Sequence, residues 1–187
     1  MKVSMIKNIF KTLLLGAAVA SCSLYEPPIT SSDRATVFGS EKGIEAYSYS
    51  LYSIIPSLED VFYQESSHVD YCAANSYWDF YVDGTYNPEQ KTSWSWSGLR
   101  RVNYFLDALK SEDCTVAEDV KEHYIALGYW FRAWYYYDKL TTYGAVPWFE
   151  NLVSSTDNDT LYKDRDSRDV VVSNLIRDLN YCYEHLK

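Results

Sequence analysis

Basic residues are scarce in this 187-residue sequence: 17 Lys and Arg stand against 26 Asp and Glu. Three of the lysines, Lys2, Lys7 and Lys11, fall at the extreme N-terminus, and without them the balance is 14 to 26, a net charge near −12. Nucleic-acid binding and electrostatic attachment to anionic lipid both need a basic footprint, so neither is expected. A neutral ligand or a protein partner is expected instead. Long apolar runs are also wanting. The run from Leu13 to Ala20 is eight residues, too short to cross a bilayer core of roughly 30 Å as a helix. Histidine occurs three times, and His68, His123 and His185 lie in unrelated contexts that suggest no Ser-His-Asp site. Of the 4 cysteines, Cys72, Cys114 and Cys182 match no metal spacing, and three is an odd number for a disulfide framework. No convincing strand run appears, which leaves an all-α fold.

What the sequence has is globular material: 47% apolar residues, 23% charged and an unusual 17% aromatic, with 19 Tyr and 6 Trp. Residues 1–21 read as a secretory signal, basic and then apolar. "VASC" resembles a bacterial lipobox, which makes Cys22 the expected lipidation site and the anchor to a membrane face. Residues 22–39 are polar with two prolines and read as a tether. Residues 40–187 read as the helical domain.

Within that domain the apolar spacing is mostly helical. Ser40 caps a helix that places Ile44, Tyr47, Leu51 and Ile55 on one face, with Pro56 after its stop. Ser57 and Asp60 have capping-box spacing, as do Thr115 and Glu118. Leu99, Val102, Phe105, Leu106 and Leu109 form an apolar stripe. The following helix is expected to reach Tyr143, with Gly144 and Pro147 supplying the stop. Its rings at Phe131, Trp134, Tyr135 and Tyr137 recur at core spacing. Ser167 caps a last helix, with Val172, Leu175, Ile176, Leu179, Cys182, Tyr183 and Leu186 expected inward. One aromatic-x2-Leu-Gly-x2-aromatic stretch from Tyr124 is tetratricopeptide-like, without a clean repeat. Between these helices, residues 70–93 mix Asn, Asp, Gly and Pro with rings and hold no period, the pattern of a long aromatic loop.

Four segments, read in order behind Cys22, resemble the N-terminal part of the SusD/RagB nutrient-binding outer-membrane lipoproteins. "SEKGIEAYSYSLYSII" looks like the first helix of that family. "WSGLRRVNYFLDAL" is similar to a second, with Trp96, Arg100 or Arg101, and Asn103. "FRAWYYYDKLTTYGAVPWF" resembles the most specific segment, and "DRDSRDVVVSNLIRDLNYCYEHL" the helix that follows. Leu127, Gly128 and Tyr129 depart from it, standing where the family usually has Glu-Ala-Arg or Glu-Ala-Lys. Members are commonly about three times longer, so the chain is expected to be a truncated frame or a fragment. The resemblance implies an all-α fold of tetratricopeptide-like helical hairpins with a long aromatic loop. It also implies a surface lipoprotein that binds oligosaccharides or peptides and delivers them to a TonB-dependent, SusC-like outer-membrane transporter.

Sugar binding needs flat rings for pyranose faces and polar groups for hydroxyls. The loop supplies both, and the expected ligand residues are Asp70, Asn75, Trp78, Asp79, Tyr81 and Tyr86, with Trp96 at the following helix. No cofactor is expected. Asp70 and Asp79 could be imagined as a glycosidase pair, but no nucleophile motif accompanies them and an enzyme is not expected. Asp157, Asp159, Asp164 and Asp166 begin like a calcium loop, then lack its Gly and closing Glu, so no metal is expected. A helical adaptor that only contacts the transporter is the alternative.

Overall fold

Short polar side chains set where the helices begin. In the computed structural model, which describes residues 33–61 and 94–187, Asp33 caps α1 (Arg34–Phe38) by accepting the Thr36 N–H. Ser40 caps α2 (Glu41–Tyr49) through Gly43 N–H, as the sequence predicts. A 3-10 turn, Ser50–Ile54, tightens the end of α2 before Pro56. Ser57 and Asp60 exchange hydrogen bonds in a reciprocal capping box, Asp60 N–H to Ser57 Oγ and Ser57 N–H to Asp60 Oδ2, both 3.1 Å. Then come α3 (Ser97–Leu109), α4 (Glu118–Tyr143), the short α5 (Asn158–Leu161) and α6 (Arg168–His185). No strand occurs among the described residues; Val146 and Asp166 form an isolated bridge. The fold is all-α.

The long α4 is the spine, and both α3 and α6 pack along it. One core cluster joins Phe38, Ile44 and Leu51 to Val102, Phe105, Leu109, Ile125 and Phe131. A second joins Leu99, Ala133, Tyr136, Val146, Trp148, Val171 and Leu175. Gly128 lets α3 and α4 come close: a Cβ there would sit 2.6 Å from Leu106 Cδ2. A larger side chain at that position would collide with the α3 stripe, so the Leu-Gly-Tyr departure has a packing reason.

Four expectations need correction. Residues 34–38, read as the end of a tether, form α1, and Phe38 is buried in the first cluster because its ring packs on Tyr47 and Phe105. Thr115 does not cap α4. Its hydroxyl donates to the Gly39 carbonyl, 3.3 Å away, and Ala117 occupies the cap position. Tyr137 is 59% exposed and Tyr136 takes the buried position, since α4 turns the Arg132–Tyr136 side inward.

The fourth correction concerns α6. Its inward residues are Val171, Leu175, Asp178 and Cys182, while Ile176, Leu179, Tyr183 and Leu186 are exposed and Val172 is half-buried. Leu175 and Cys182 are inward as expected, but the rest of the hydrophobic spacing points to another face because it ignores one pair. Asp178 accepts from Arg132 Nε at 2.6 Å and from Nη2 at 2.9 Å, and both side chains are 1% exposed. Turning α6 to bury its apolar stripe would strand a buried guanidinium, at about 3–5 kcal/mol. The same turn would expose Val171 and Leu175, which offsets the apolar area gained.

Candidate functional site

The site is organised by residues 145–153, a segment without helix or strand. It leaves α4 at Gly144, whose φ of 73° is a conformation that glycine adopts without steric cost. Lacking regular structure, its carbonyls are taken one by one by side chains from the helices. Tyr136 Oη donates to Pro147 O at 3.2 Å and accepts the Phe149 N–H at 2.7 Å. Lys163 Nζ donates to Trp148 O, 2.9 Å. Asn103 Nδ2 reaches Phe149 O and Asn151 O, each 3.0 Å. Arg132 Nη1 donates to Glu150 O at 2.8 Å, and Arg100 Nη1 to Val153 O at 2.7 Å. The segment is thereby harnessed to α3, α4 and the 163–166 turn. Arg101 points elsewhere, to Ser50 O and Ser53 Oγ, so Arg100 is the arginine that works with Asn103.

Electrostatics reinforce the harness. Arg132 lies between the rings of Tyr129 and Trp148, 4.7 and 5.1 Å from their centroids. Glu150 accepts from the Trp148 indole and from Arg177. Burial alone would raise its carboxyl, but Arg177, Trp148 and Arg132 outweigh it and hold Glu150 below its usual range. Asp166 behaves alike: burial opposes, and Lys163 and the Trp148 N–H win. Burial pushes the Tyr136 hydroxyl well above the ordinary phenol range, so it stays protonated and donates. It also pushes the Cys182 thiol up to about 11, where it donates to Ala126 O.

Against this fixed segment stands Trp96, half-buried at the start of α3. The Tyr135 hydroxyl donates to the Ser95 carbonyl and fixes the approach. Trp96 contacts Phe149 edge-to-face at 5.3 Å and Trp94 at 5.2 Å. Two clefts open beside it. One, of about 270 Å³, runs between Leu99, Arg100 and Asn103 of α3 and residues 151–153. The other, of about 300 Å³, lies between Trp94 and residues 161–165. Trp96, Phe149 and Leu161 line both. The result is a ring-floored groove with charged and amide groups at its margin. Such a groove can hold a flat apolar face and hydrogen-bond its edge.

Of the residues expected to meet a ligand, Trp96 lines both clefts. Asp70, Asn75, Trp78, Asp79, Tyr81 and Tyr86 lie outside the described residues, as do Cys22 and Cys72. Cys114 is half-buried and Cys182 buried, both as free thiols. Asp157 caps α5 through Thr160 N–H, and among the described residues no group of three acidic, His or Cys side chains could hold a metal ion. Phe149, Leu161, Tyr162 and Arg165 line the clefts without a sequence signal of their own beyond the Leu-Tyr pair at 161–162. No family model, curated protein or solved structure matches this chain.

Proposed function

We propose that this chain is the N-terminal helical portion of a SusD/RagB-like surface lipoprotein. In this reading it is lipidated at Cys22, held on the outer face of the outer membrane, and binds an oligosaccharide for delivery to a TonB-dependent, SusC-like transporter. The observation that carries the binding role is the Trp96 groove, which joins ring faces to polar margins. The family assignment rests on the four sequence segments. It gains support from their polar residues acting together: Arg100 and Asn103 of one segment and Arg132 of another hold the same 147–153 backbone. Arg132 in turn pairs with Asp178 of a third. On the same reading α3 and α4 form a tetratricopeptide-like hairpin, and no cofactor takes part.

A second reading, a helical adaptor that only contacts the transporter, is favoured by the exposed stripe of Ile176, Leu179 and Tyr183 on α6, continued by Leu186 just past its end. Glycan arrays and calorimetry with the lipid-free chain separate the two. Binding of an oligosaccharide that weakens in Trp94→Ala supports the nutrient binder. Absence of any glycan binding, with a SusC-like transporter still captured, supports the adaptor. Hydrolysis of a bound glycan would remove both.

A further inference from the structure

The groove reverses the charge of the chain that builds it. Acidic residues outnumber basic ones 26 to 17 overall. The two clefts, however, are lined by three cations, Arg100, Lys163 and Arg165, and one carboxylate, Asp164. Lys163 is committed, since it pairs with Asp166 at 2.7 Å and holds Trp148 O. The two arginines are not. Among the described residues neither has a carboxylate partner. Arg100 uses one N–H on Val153 O and keeps the rest of its fork. Arg165 makes no hydrogen bond among the described residues. Its guanidinium rests 4.9 Å from the Trp94 ring centroid, a contact that orients the group without consuming its donors.

An unpaired guanidinium at the margin of a ring-floored cleft is poorly used by an uncharged ligand. It is well used by a planar or tetrahedral oxyanion, which accepts two parallel N–H bonds. Arg34, Arg132 and Arg177 have carboxylate partners, whereas Arg101 and Arg168, like the two groove arginines, have none among the described residues. Arg100 and Arg165 are set apart by lining the ring-floored clefts with donors to spare.

We infer that the Trp96 groove selects an acidic oligosaccharide, one bearing a carboxylate or sulfate on its pyranose rings, with Arg165 and Arg100 as the anion-recognising residues. This rests on the nutrient-binder reading and replaces the neutral ligand that overall charge suggests. Arg165 and Trp94 form the outer recognition pair. Arg100 serves the inner cleft while also holding the 153 carbonyl.

Calorimetry on the lipid-free full chain tests it with three probes: oligogalacturonate, a sulfated galactan oligosaccharide and an uncharged cello-oligosaccharide. An acidic probe is expected to bind at least about tenfold tighter than the uncharged one, with the difference shrinking as salt screens it. Which acidic probe binds tighter identifies carboxylate or sulfate. Arg165→Ala should remove most of the preference, about fivefold or more, and Arg165→Lys should keep only part of it, since the fork is lost. Arg165 makes no hydrogen bond among the described residues, so this variant should keep its thermal melt. Arg168→Ala, at the start of α6 and outside both clefts, should change nothing. Equal affinity for the uncharged probe, unmoved by Arg165→Ala, would overturn this inference and leave the binder reading intact. No binding of any probe would overturn both.

Discussion

Tyr136 and Trp96 are aromatic neighbours, 6.1 Å apart, and they serve opposite ends. Tyr136 is fully buried, stacked on Trp148 at 4.3 Å, and its hydroxyl is used on both sides by residues 147 and 149. Nothing of it is left for a ligand. Trp96 borders two clefts, and its neighbour Trp94 is 39% exposed. The density of rings along α4 therefore says little about binding. What separates a structural ring from a recognition ring is whether its polar handle and its faces are already consumed inside the fold.

Perturbing the two regions should give different signatures. The largest effect belongs to the α4 side. Asp178→Ala leaves the buried Arg132 with only the longer 3.5 Å contact to the Glu150 carboxylate and should cost about 3 kcal/mol in urea unfolding. A loss below about 1 kcal/mol would mean that α6 re-seats on its apolar stripe. Tyr136→Phe should cost roughly 1–3 kcal/mol, because the Phe149 N–H loses its acceptor; a neutral result would imply that water takes its place. Trp94→Ala should behave in reverse, with stability changing by under about 1 kcal/mol while oligosaccharide affinity falls about tenfold. If Trp134→Ala, on the half-buried side of α4, lowered affinity as much, the division between scaffold and groove would collapse.

The smallest effect is on pH. The folded-state carboxyls of Asp166 and Glu150 lie below their ordinary values, so their contribution is complete above the usual carboxylate range of about 4. It is lost as the pH falls through the lowered folded values. Acid titration followed by near-ultraviolet circular dichroism should show the aromatic signal of 145–153 weakening there. In Asp166→Asn, whose side chain no longer titrates, that loss should be smaller.

Local signals were read well from sequence and partner choices were not. The caps at Ser40, Ser57 and Ser167 and the stop at Gly144 involve residues within four positions of one another, so spacing suffices. Thr115 misled because its hydroxyl found the Gly39 carbonyl, 76 residues away in sequence. The α6 face misled for a similar reason, since Asp178 answers to Arg132 across 46 positions. Trp96 is the expected ligand residue that falls within the described structure, and its place at the head of α3 follows from the stripe behind it. Its cleft partners Phe149 and Arg165 were not legible, since they reach it only through the harnessed 145–153 segment and the turn that follows.

By itself the sequence determined that this protein is helical, where α2 and α6 start and α4 stops, and which stripe of α3 is buried. Propensity, capping and 3.6-residue periodicity are local properties, written in consecutive residues. Tertiary structure decided which face of α6 turns inward, which of the four rings from Trp134 to Tyr137 are core, and where Arg100 and Arg165 meet Trp96 and Trp94. Those outcomes are settled by the cost of stranding a buried charge or an unbonded carbonyl, and that cost exists only once distant segments have come together.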